Sequence, residues 1–341
     1  MKKLFAMLLA GTMCVSLAAC GSSSETETTD TSAAETETAS DAEAASDADA
    51  AYVVGICQLI QHDALDAATQ GFEDALVDEL GDAVTFDEQN AQGDSSTCAT
   101  IINSFVSDDV DLILANATAA LQAAQAGTDT IPILGTSITD YGSALDIDFD
   151  GGAIGGNISG TSDLAPLSEQ ADMIYELFPD AENIGLLYCT AEANSLYQVT
   201  EVQACLEEYG YTCTQYGFAD SNDISSVATT AASASDVIYI PTDNTAANNT
   251  ELLNNIFLPA GVPVVAGEEG ICSGCGVATL SISYYEIGYT TGQMAAQILT
   301  GEADISEMEI QYASEVTKEY NASICEELGI TVPDDYTAIE E

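Results

Sequence analysis

Short apolar runs alternate with longer amphipathic segments along the chain from residue 52 onward. The short runs are typical of buried parallel strands, and the segments with apolar residues three or four apart are typical of helices. The predicted strands are 52–57, 83–86, 112–114, 131–134, 184–188, 212–216, 237–240 and 262–266, with later strand segments at 277–282 and near Ile310. The predicted helices are 63–80, 94–106, 118–126, 167–178, 195–209, 223–232, 245–258 and 287–299.

This alternation predicts an α/β fold with two doubly wound parallel-sheet lobes. The 341 residues are enough for two domains of ordinary size. We expect an N-terminal lobe of 52–158 plus about 283–308, and a C-terminal lobe of 159–282 plus about 309–341. Because the last elements must be shared between the lobes, the chain crosses between them several times and forms a hinge.

The residues before the folded body predict export and lipid anchoring. Residues 1–19 have a basic start and an apolar run too short to span a membrane, as in a signal peptide. The sequence Leu17-Ala18-Ala19-Cys20 matches the bacterial lipobox, which predicts a lipidated Cys20. Residues 20–51 are small and acidic and predict a disordered linker. We therefore expect a protein on the extracytoplasmic face of the cell membrane.

Charge excludes several function classes. The chain has 57 Asp and Glu against 3 Lys and Arg, for a formal net charge of −54. A nucleic-acid-binding face needs clustered lysine and arginine residues, and a P-loop needs a Gly-Lys pair. The sequence has neither. The single histidine, His62, has no identifiable nucleophile partner and cannot form a His-based metal site alone. We expect no catalysis, no cofactor and no metal.

Polar residues follow the predicted strands at the edge where ligands of such sheets bind. Single residues of these types are ordinary helix caps. Their clustering on several loops nevertheless favours a ligand cleft between the lobes. The candidates from these loops are Gln61, His62, Leu65, Asn116, Thr118, Thr136, Ser137, Glu192, Asn194, Ser195, Asp243, Asn244 and Glu268.

Several longer stretches carry a family resemblance across about 52–330. They read QLIQHDALDAATQGF, ANATAALQAA, GTSITDY, GNISGTSDLAPLSEQ, YCTAEANSLYQ, YIPTDNTA, PVVAGEEG and SISYYEIGYTTGQMAAQILTG. In these stretches the chain resembles the ABC-transporter substrate-binding lipoproteins of the tryptophan/tyrosine type, which have a class I periplasmic-binding-protein-like fold. The resemblance implies a monomer whose lobes close around a small solute and pass it to a permease and its ATPase.

The same resemblance implies an amino-acid ligand, and an aromatic one. With no base near the cleft, hydroxyls and helix N-termini would hold the carboxylate. The hydroxyl candidates are Thr136, Ser137, Thr161 and Ser162. Asp243 or Glu268 would hold the ammonium, with Asp163 as a third option that looks more like a helix cap. The candidates for the aromatic walls are Leu65, Tyr141, Tyr188 and Tyr284, and His62 would also contact the ligand.

Other functions stay open at this point. A solute sensor that signals to a membrane receptor would use the same cleft. An enzyme on a similar fold is disfavoured because no nucleophile–base pair is identifiable. Within the binding class, the ligand could instead be a nucleoside, a sugar or a small cation, although the lack of Trp and Arg disfavours sugars. A polyamine would suit an acidic cleft.

Two weaker signals concern acids and cysteines. Residues 146–150 alternate Asp with apolar residues, which predicts a strand with one acidic face rather than a calcium loop. Cys272 and Cys275 have CxxC spacing, but no helix is predicted to begin at them, so a thioredoxin-like role is disfavoured. The eight body cysteines are either free or paired, and the sequence leaves this open.

Overall fold

Two sheets organise residues 52–339, the part of the chain that the computed structural model describes. The strands are β1 (Tyr52–Gln58), β2 (Val84–Asn90), β3 (Leu112–Asn116), β4 (Ile133–Ile138), β5 (Ile158–Ser162), β6 (Asn183–Cys189), β7 (Thr212–Phe218), β8 (Val237–Ile240), β9 (Val264–Ala266), β10 (Ala278–Ser281), β11 (Gln311–Tyr312), β12 (Thr317–Tyr320) and β13 (Thr337–Ala338). The helices are α1 (Asp63–Leu80), α2 (Ser95–Asp108), α3 (Thr118–Gly127), α4 (Tyr141–Leu145), α5 (Leu167–Leu177), α6 (Ala193–Glu208), α7 (Ile224–Ala232), α8 (Asn244–Ala247), α9 (Thr250–Ala260), α10 (Glu269–Cys275), α11 (Tyr284–Leu299) and α12 (Ala322–Leu328).

The strand order of the two sheets determines which loops lie together at the carboxyl ends of the strands. The first sheet runs β11-β5-β4-β3-β1-β2 with parallel pairing throughout. The second runs β13-β12-β10-β9-β8-β6-β7 and is parallel except where β12 joins β10. Because chain order reverses beside β1 in one sheet and beside β6 in the other, a crevice opens at the carboxyl ends of these strands. The α/β fold with two doubly wound lobes is thus confirmed.

Three chain segments connect the lobes, the first crossing at 163–166, the second at 282–283 and the third at 313–316. Two of them lie later than the sequence indicates, because β5 and β11 belong to the first sheet. The expected boundaries at 158/159 and 308/309 therefore move to about 162/163 and 312/313. The strand β5 reads ISGTS and β11 has only two residues, so neither carries the apolar pattern of a central strand.

Local structure differs from the predicted elements in three other places. The expected helix 245–258 is two helices, α8 and α9, separated at Asn248 and Asn249. Residues 146–150 are not a strand but an irregular segment after α4. An additional helix, α10, contains both cysteines of the CxxC pair in its last turn. These thiols are buried, and burial raises the pKa of both, which argues against a reactive redox pair.

Helix α11 returns to the first lobe and packs closely on α1. A Cβ at Gly288 would lie 1.9 Å from the backbone oxygen of Ala68, and one at Gly71 would lie 2.1 Å from that of Tyr285. The two backbones approach so closely that only glycine fits at these positions. This contact connects the chain after the second crossing to the helix that follows His62.

Substituting Gly288 with Ala is expected to lower the free energy of unfolding by about 1–3 kcal/mol, because the methyl group overpacks a rigid backbone contact. Urea denaturation of the two proteins measures the difference. The matched control is Gly152→Ala, whose new methyl would come no closer than 3.4 Å to its neighbours. Equal destabilisation by both substitutions would contradict the close helix packing.

One lysine and eight cysteines lie in residues 52–339. Within residues 52–339 the single lysine, Lys318, pairs with Glu176 and Asp335 at 3.0 Å each, on the surface. The eight cysteines of this part of the chain are free thiols. No helix in the described part is long and apolar enough to cross a membrane. The predicted signal peptide, Cys20 and the linker 20–51 lie outside the described residues.

Candidate ligand-binding site

A narrow cavity lies between the lobes at the carboxyl ends of strands from both sheets. Its walls come from β4 and the loops after β1, β4, β8 and β9, from α1 and α8, from the starts of α6 and α11, and from the first crossing. The lining residues are His62, Leu65, Ser137, Thr139, Asp163, Asn194, Thr242, Asp243, Asn244, Ala247, Glu268 and Tyr284. About 10 Å³ of this cavity would admit the centre of a water molecule, so it holds about one water in this conformation. A larger solute requires the lobes to separate.

Contacts across the cavity show that the lobes are closed. His62 Nε2 in the first lobe lies 3.2 Å from Asn244 Oδ1 in the second. His62 is the N-cap residue of α1 with extended backbone, and its side chain caps no N–H group of that helix, so the ring is free to reach the opposite lobe. Helix α4 of the first lobe also packs against α6 of the second.

Two of the three candidate acids cap helices. Asp243 Oδ1 accepts from Ala246 N at 2.8 Å and Oδ2 accepts from Cys189 N at 2.6 Å. Glu268 accepts from Gly270 N at 2.7 Å and from Ile271 N at 2.6 Å. Burial raises the pKa of Asp243, with Glu192 adding to it, and burial raises the pKa of Glu268 to about 7. Their oxygens are therefore already used by backbone donors.

Asp163 is the acid with an unused oxygen. It lies in the first crossing, not at a helix cap as its neighbours in sequence indicate, since α5 begins at Leu167 with Pro166 as its N-cap. The Tyr284 hydroxyl donates to Oδ2 at 3.0 Å, whereas Oδ1 is buried and has no hydrogen-bond partner among the described residues. The residue is 3% exposed. Burial raises the pKa of Asp163, and the hydroxyls of Thr139 and Tyr284 offset this only in part.

Ser137 supplies a second unpartnered group on the same cavity. Its Oγ is buried without a hydrogen-bond partner in the described part of the chain. Its backbone φ of 56° is in the left-handed region, which is unfavourable for a residue with a side chain. Strained backbone and unpaired polar atoms persist where function requires them. A ligand with one donor and one acceptor would satisfy both Asp163 and Ser137.

Several predicted site residues lie away from the cavity and hold the lobes' interior together. Thr161 Oγ1 is 3.3 Å from Thr136 Oγ1 and 2.8 Å from Thr291 Oγ1, where β4 and β5 meet α11. Ser162 Oγ donates to Thr139 O at 3.0 Å. Asn116 Nδ2 donates to Leu65 O at 2.9 Å. Thr136, Thr161, Ser162 and Asn116 therefore support the cavity wall without lining it.

Most of the remaining residues predicted for the site also lie outside the narrow cavity. Gln61 is exposed and lines a separate, more open cavity between the lobes, beside His62 and Ala247. Thr118 and Ser195 are buried in the first turns of their helices. The carboxylate of Glu192 accepts hydrogen bonds from Asn194, Asn244 and Thr245 and does not line the cavity. Tyr141 and Tyr188 are core residues of the two lobes. Only Leu65 and Tyr284 of the proposed wall residues reach the cavity.

Three lining residues are absent from the sequence prediction: Thr139, Thr242 and Ala247. Thr242 and Thr139 each stand within two residues of a predicted site residue, so a wider window around each strand end would have included them. Ala247 is a small apolar residue in α8 and carries no signal of its own.

A second, larger cavity of about 790 Å³ adjoins the narrow one on the hinge side, and Tyr284 and Glu268 line both. Its other walls come from α1, α10 and the second and third crossings. The lining is strongly acidic, with Asp63, Glu268, Glu269, Glu286, Glu315 and Glu319. Among the described residues, no lysine, arginine or histidine lines this cavity.

Comparison with known proteins identifies relatives over most of this body. The chain is 34% identical over 256 residues to a tyrosine-binding protein of Clostridioides difficile, covering 73% of each chain. It is 32% identical to an ABC domain from Streptococcus pneumonia solved in complex with L-Trp. The match covers 83% of this chain and 96% of the other, with a TM-score of 0.79.

A third relative bears on the conformation and the family. A ligand-free, open structure of a substrate-binding protein with adhesive properties from Clostridium difficile is also 32% identical, over 85% of this chain and 99% of the other, yet its TM-score is 0.65. This TM-score is lower than that of the L-Trp complex at the same sequence identity, and a poorer fit to an open form agrees with the closed lobes of the present structure. The family model described as ABC transporter substrate binding protein matches residues 53–339. The chain belongs to the ABC transporter substrate-binding protein family.

Proposed function

We propose that this substrate-binding protein captures an aromatic amino acid, tyrosine or tryptophan, between its lobes and delivers it to an ABC permease. The observation that carries the proposal is the pair of buried, unpartnered atoms on one cavity, Asp163 Oδ1 and Ser137 Oγ. The names of two relatives agree with it, since one is called tyrosine-binding and another was solved with L-Trp.

The polar end of an amino acid fits the chemistry of these two groups. An ammonium group donates to Asp163 Oδ1 in a charge-assisted hydrogen bond. The carboxylate accepts from the Ser137 hydroxyl and from the first turn of α1, whose N–H groups have no side-chain cap and whose Leu65 lines the cavity. No lysine or arginine lines the cavity, so the protein supplies no cationic partner for the buried carboxylates there. A cationic group on the ligand would supply that partner.

Opening and closing follow from the three crossings. Lobes that separate about 163–166, 282–283 and 313–316 expose the cavity, and closure returns His62 to Asn244. The ring of the ligand would lie against Leu65, Ala247 and Tyr284, which are the apolar and aromatic groups of the lining. We further propose that the protein is anchored through Cys20 outside the cytoplasm, where proteins of this family act, and that it binds its solute as a monomer without catalysis.

One alternative ligand class has an observation of its own. The larger, acidic cavity beside the site would attract a polyamine, since its lining contains several carboxylates and no base. A polyamine would satisfy Asp163 but leave the Ser137 hydroxyl without a carboxylate partner.

Thermal stabilisation of the full-length protein by a solute panel tests the proposal. The panel contains the amino acids, nucleosides, sugars and polyamines, each at several concentrations. Because a ligand that binds only the folded protein raises its stability by mass action, L-tyrosine or L-tryptophan is expected to raise Tm in a concentration-dependent way. Stabilisation by a polyamine or a nucleoside, with no response to aromatic amino acids, would refute the proposed ligand class.

A further inference from the structure

Glu192 lies just before α6 and its carboxylate accepts five hydrogen bonds. Oε1 accepts from the backbone N of Thr245 at 2.9 Å and from its hydroxyl at 2.8 Å. Oε2 accepts from the backbone N of Asn244 at 3.0 Å, from Asn244 Nδ2 at 2.7 Å and from Asn194 Nδ2 at 3.2 Å. Because four of these five bonds come from Asn244 and Thr245, the carboxylate holds the segment after β8 in one position.

These bonds determine which way the Asn244 amide points. An ionised carboxylate only accepts hydrogen bonds, so the amide group that faces Glu192 must be the NH₂. The carbonyl oxygen, Oδ1, therefore faces away from Glu192, and it lies 3.2 Å from His62 Nε2. Since Oδ1 only accepts, His62 must donate from Nε2.

The donor position on His62 determines the role of its other nitrogen. Burial lowers the pKa of His62, while Asn244 and the carboxylates of Glu192, Asp66 and Asp63 offset this in part. The ring is thus neutral at neutral pH, and a neutral imidazole has a single N–H. With the proton on Nε2, Nδ1 is an acceptor.

We infer that Glu192, from the second lobe, fixes His62 of the first lobe in its Nε2–H tautomer through Asn244, and that His62 thereby offers an acceptor that selects a ligand with a hydrogen-bond donor. The selection step rests on the proposed function, because His62 lines the same cavity as Asp163. Suitable donors are an ammonium, a phenol O–H or an indole N–H. Glu192 itself is a positioning residue, since it reaches the ligand site only through Asn244.

Nitrogen NMR of the imidazole tests the tautomer directly. His62 is the chain's only histidine, so ¹⁵N-histidine labelling of the full-length protein in detergent gives the signals of one ring. In the wild type with its lobes closed by a solute that raises its Tm, Nε2 is expected to be the protonated nitrogen and Nδ1 the bare one. In Glu192→Gln the new amide can donate to Asn244 Oδ1, so the Asn244 amide is free to turn and the preference for Nε2–H is expected to be lost.

The matched control is Glu201→Gln, which removes the same charge from an exposed position of the same helix. This variant should keep the wild-type tautomer. Glu192→Asp, a separate variant that retains a carboxylate, should keep it at least in part. A wild-type ring protonated on Nδ1 or on both nitrogens, or an unchanged ring in Glu192→Gln, would overturn the inference. Circular dichroism identifies any variant that does not fold, and Asn244→Leu, which removes the acceptor of the His62 Nε2–H group, is then expected to lose the same preference.

Ligand affinity tests the selection step separately. Glu192→Gln is expected to weaken binding of L-tyrosine or L-tryptophan about 2- to 10-fold, the contribution of one neutral hydrogen bond. Unchanged affinity in a variant whose tautomer has changed would overturn the selective role of His62. Because any solute that closes the lobes serves for the NMR measurement, a wrong ligand class would leave the tautomer result intact, and a wrong tautomer would leave amino-acid binding intact.

Discussion

Asp163→Asn is expected to weaken binding of an aromatic amino acid by about 2–5 kcal/mol, or about 30- to 4000-fold in Kd, because it removes the charge that pairs with the buried ammonium. The asparagine keeps the size of the side chain and can still accept from the Tyr284 hydroxyl. Isothermal titration calorimetry of the two proteins with the same ligand measures the loss.

The same substitution is expected to leave the ligand-free protein at least as stable as the wild type. Oδ1 of Asp163 is a buried carboxylate oxygen without a partner, and an amide at this place is less costly to bury. The control is Asp148→Asn, which removes a charge from an exposed position. Wild-type affinity in Asp163→Asn would show that this carboxylate does not hold the ammonium.

The ligand-free protein is expected to lose stability as the pH rises from about 4.5 to about 7. Burial raises the folded-state pKa of Glu268 from 4.5 to about 7, so the folded state binds this proton more tightly than the unfolded state does. The stabilisation is fully present below the unfolded value and disappears as the pH passes the folded one. For Glu268 alone the change is on the order of 3 kcal/mol. Asp163 and Asp243 change stability in the same direction, because burial raises their pKa as well.

Urea denaturation at a series of pH values measures this dependence. Glu268→Gln is expected to reduce the slope between pH 5 and 7, whatever it does to the absolute stability through the cap of α10. Glu251→Gln, an exposed residue of α9, should retain the wild-type slope, including the share caused by general self-repulsion of the acidic surface. Stability that is constant or increases over this interval would contradict the burial of these acids without a cationic partner.

Much of the fold could be predicted because apolar periodicity is a local property. The strand 52–57 and the helix 63–80 are close to β1 and α1, and their hydrophobic positions carry that information without any partner. The crossings were harder to locate, since β5 and β11 are polar or very short and become strands only through pairing with a neighbour. The predicted lobe boundaries therefore lie several residues too early.

The role of each acid could not be predicted, for a different reason. Asp163, Asp243 and Glu268 all follow strands, and each could cap a helix or bind a cation. What separates them is the set of donors that folding brings to each one. Backbone N–H groups use the oxygens of Asp243 and Glu268, whereas Asp163 receives Tyr284 from a position 121 residues away and retains one free oxygen. Distant pairing of this kind is not visible in one sequence.

The proposed binding of the charged end of an aromatic amino acid in this cavity is best tested with matched ligands. Calorimetry of the full-length protein compares L-tyrosine with 3-(4-hydroxyphenyl)propionate and L-tryptophan with indole-3-propionate, pairs that differ only in the ammonium group. Because the chain contains no tryptophan, the fluorescence of bound tryptophan gives an independent reading. At least one of the two amino acids is expected to bind, and its partner without the amine is expected to bind at least about 30-fold more weakly. Equal affinity within each pair, or no binding of either amino acid by folded protein, would contradict it.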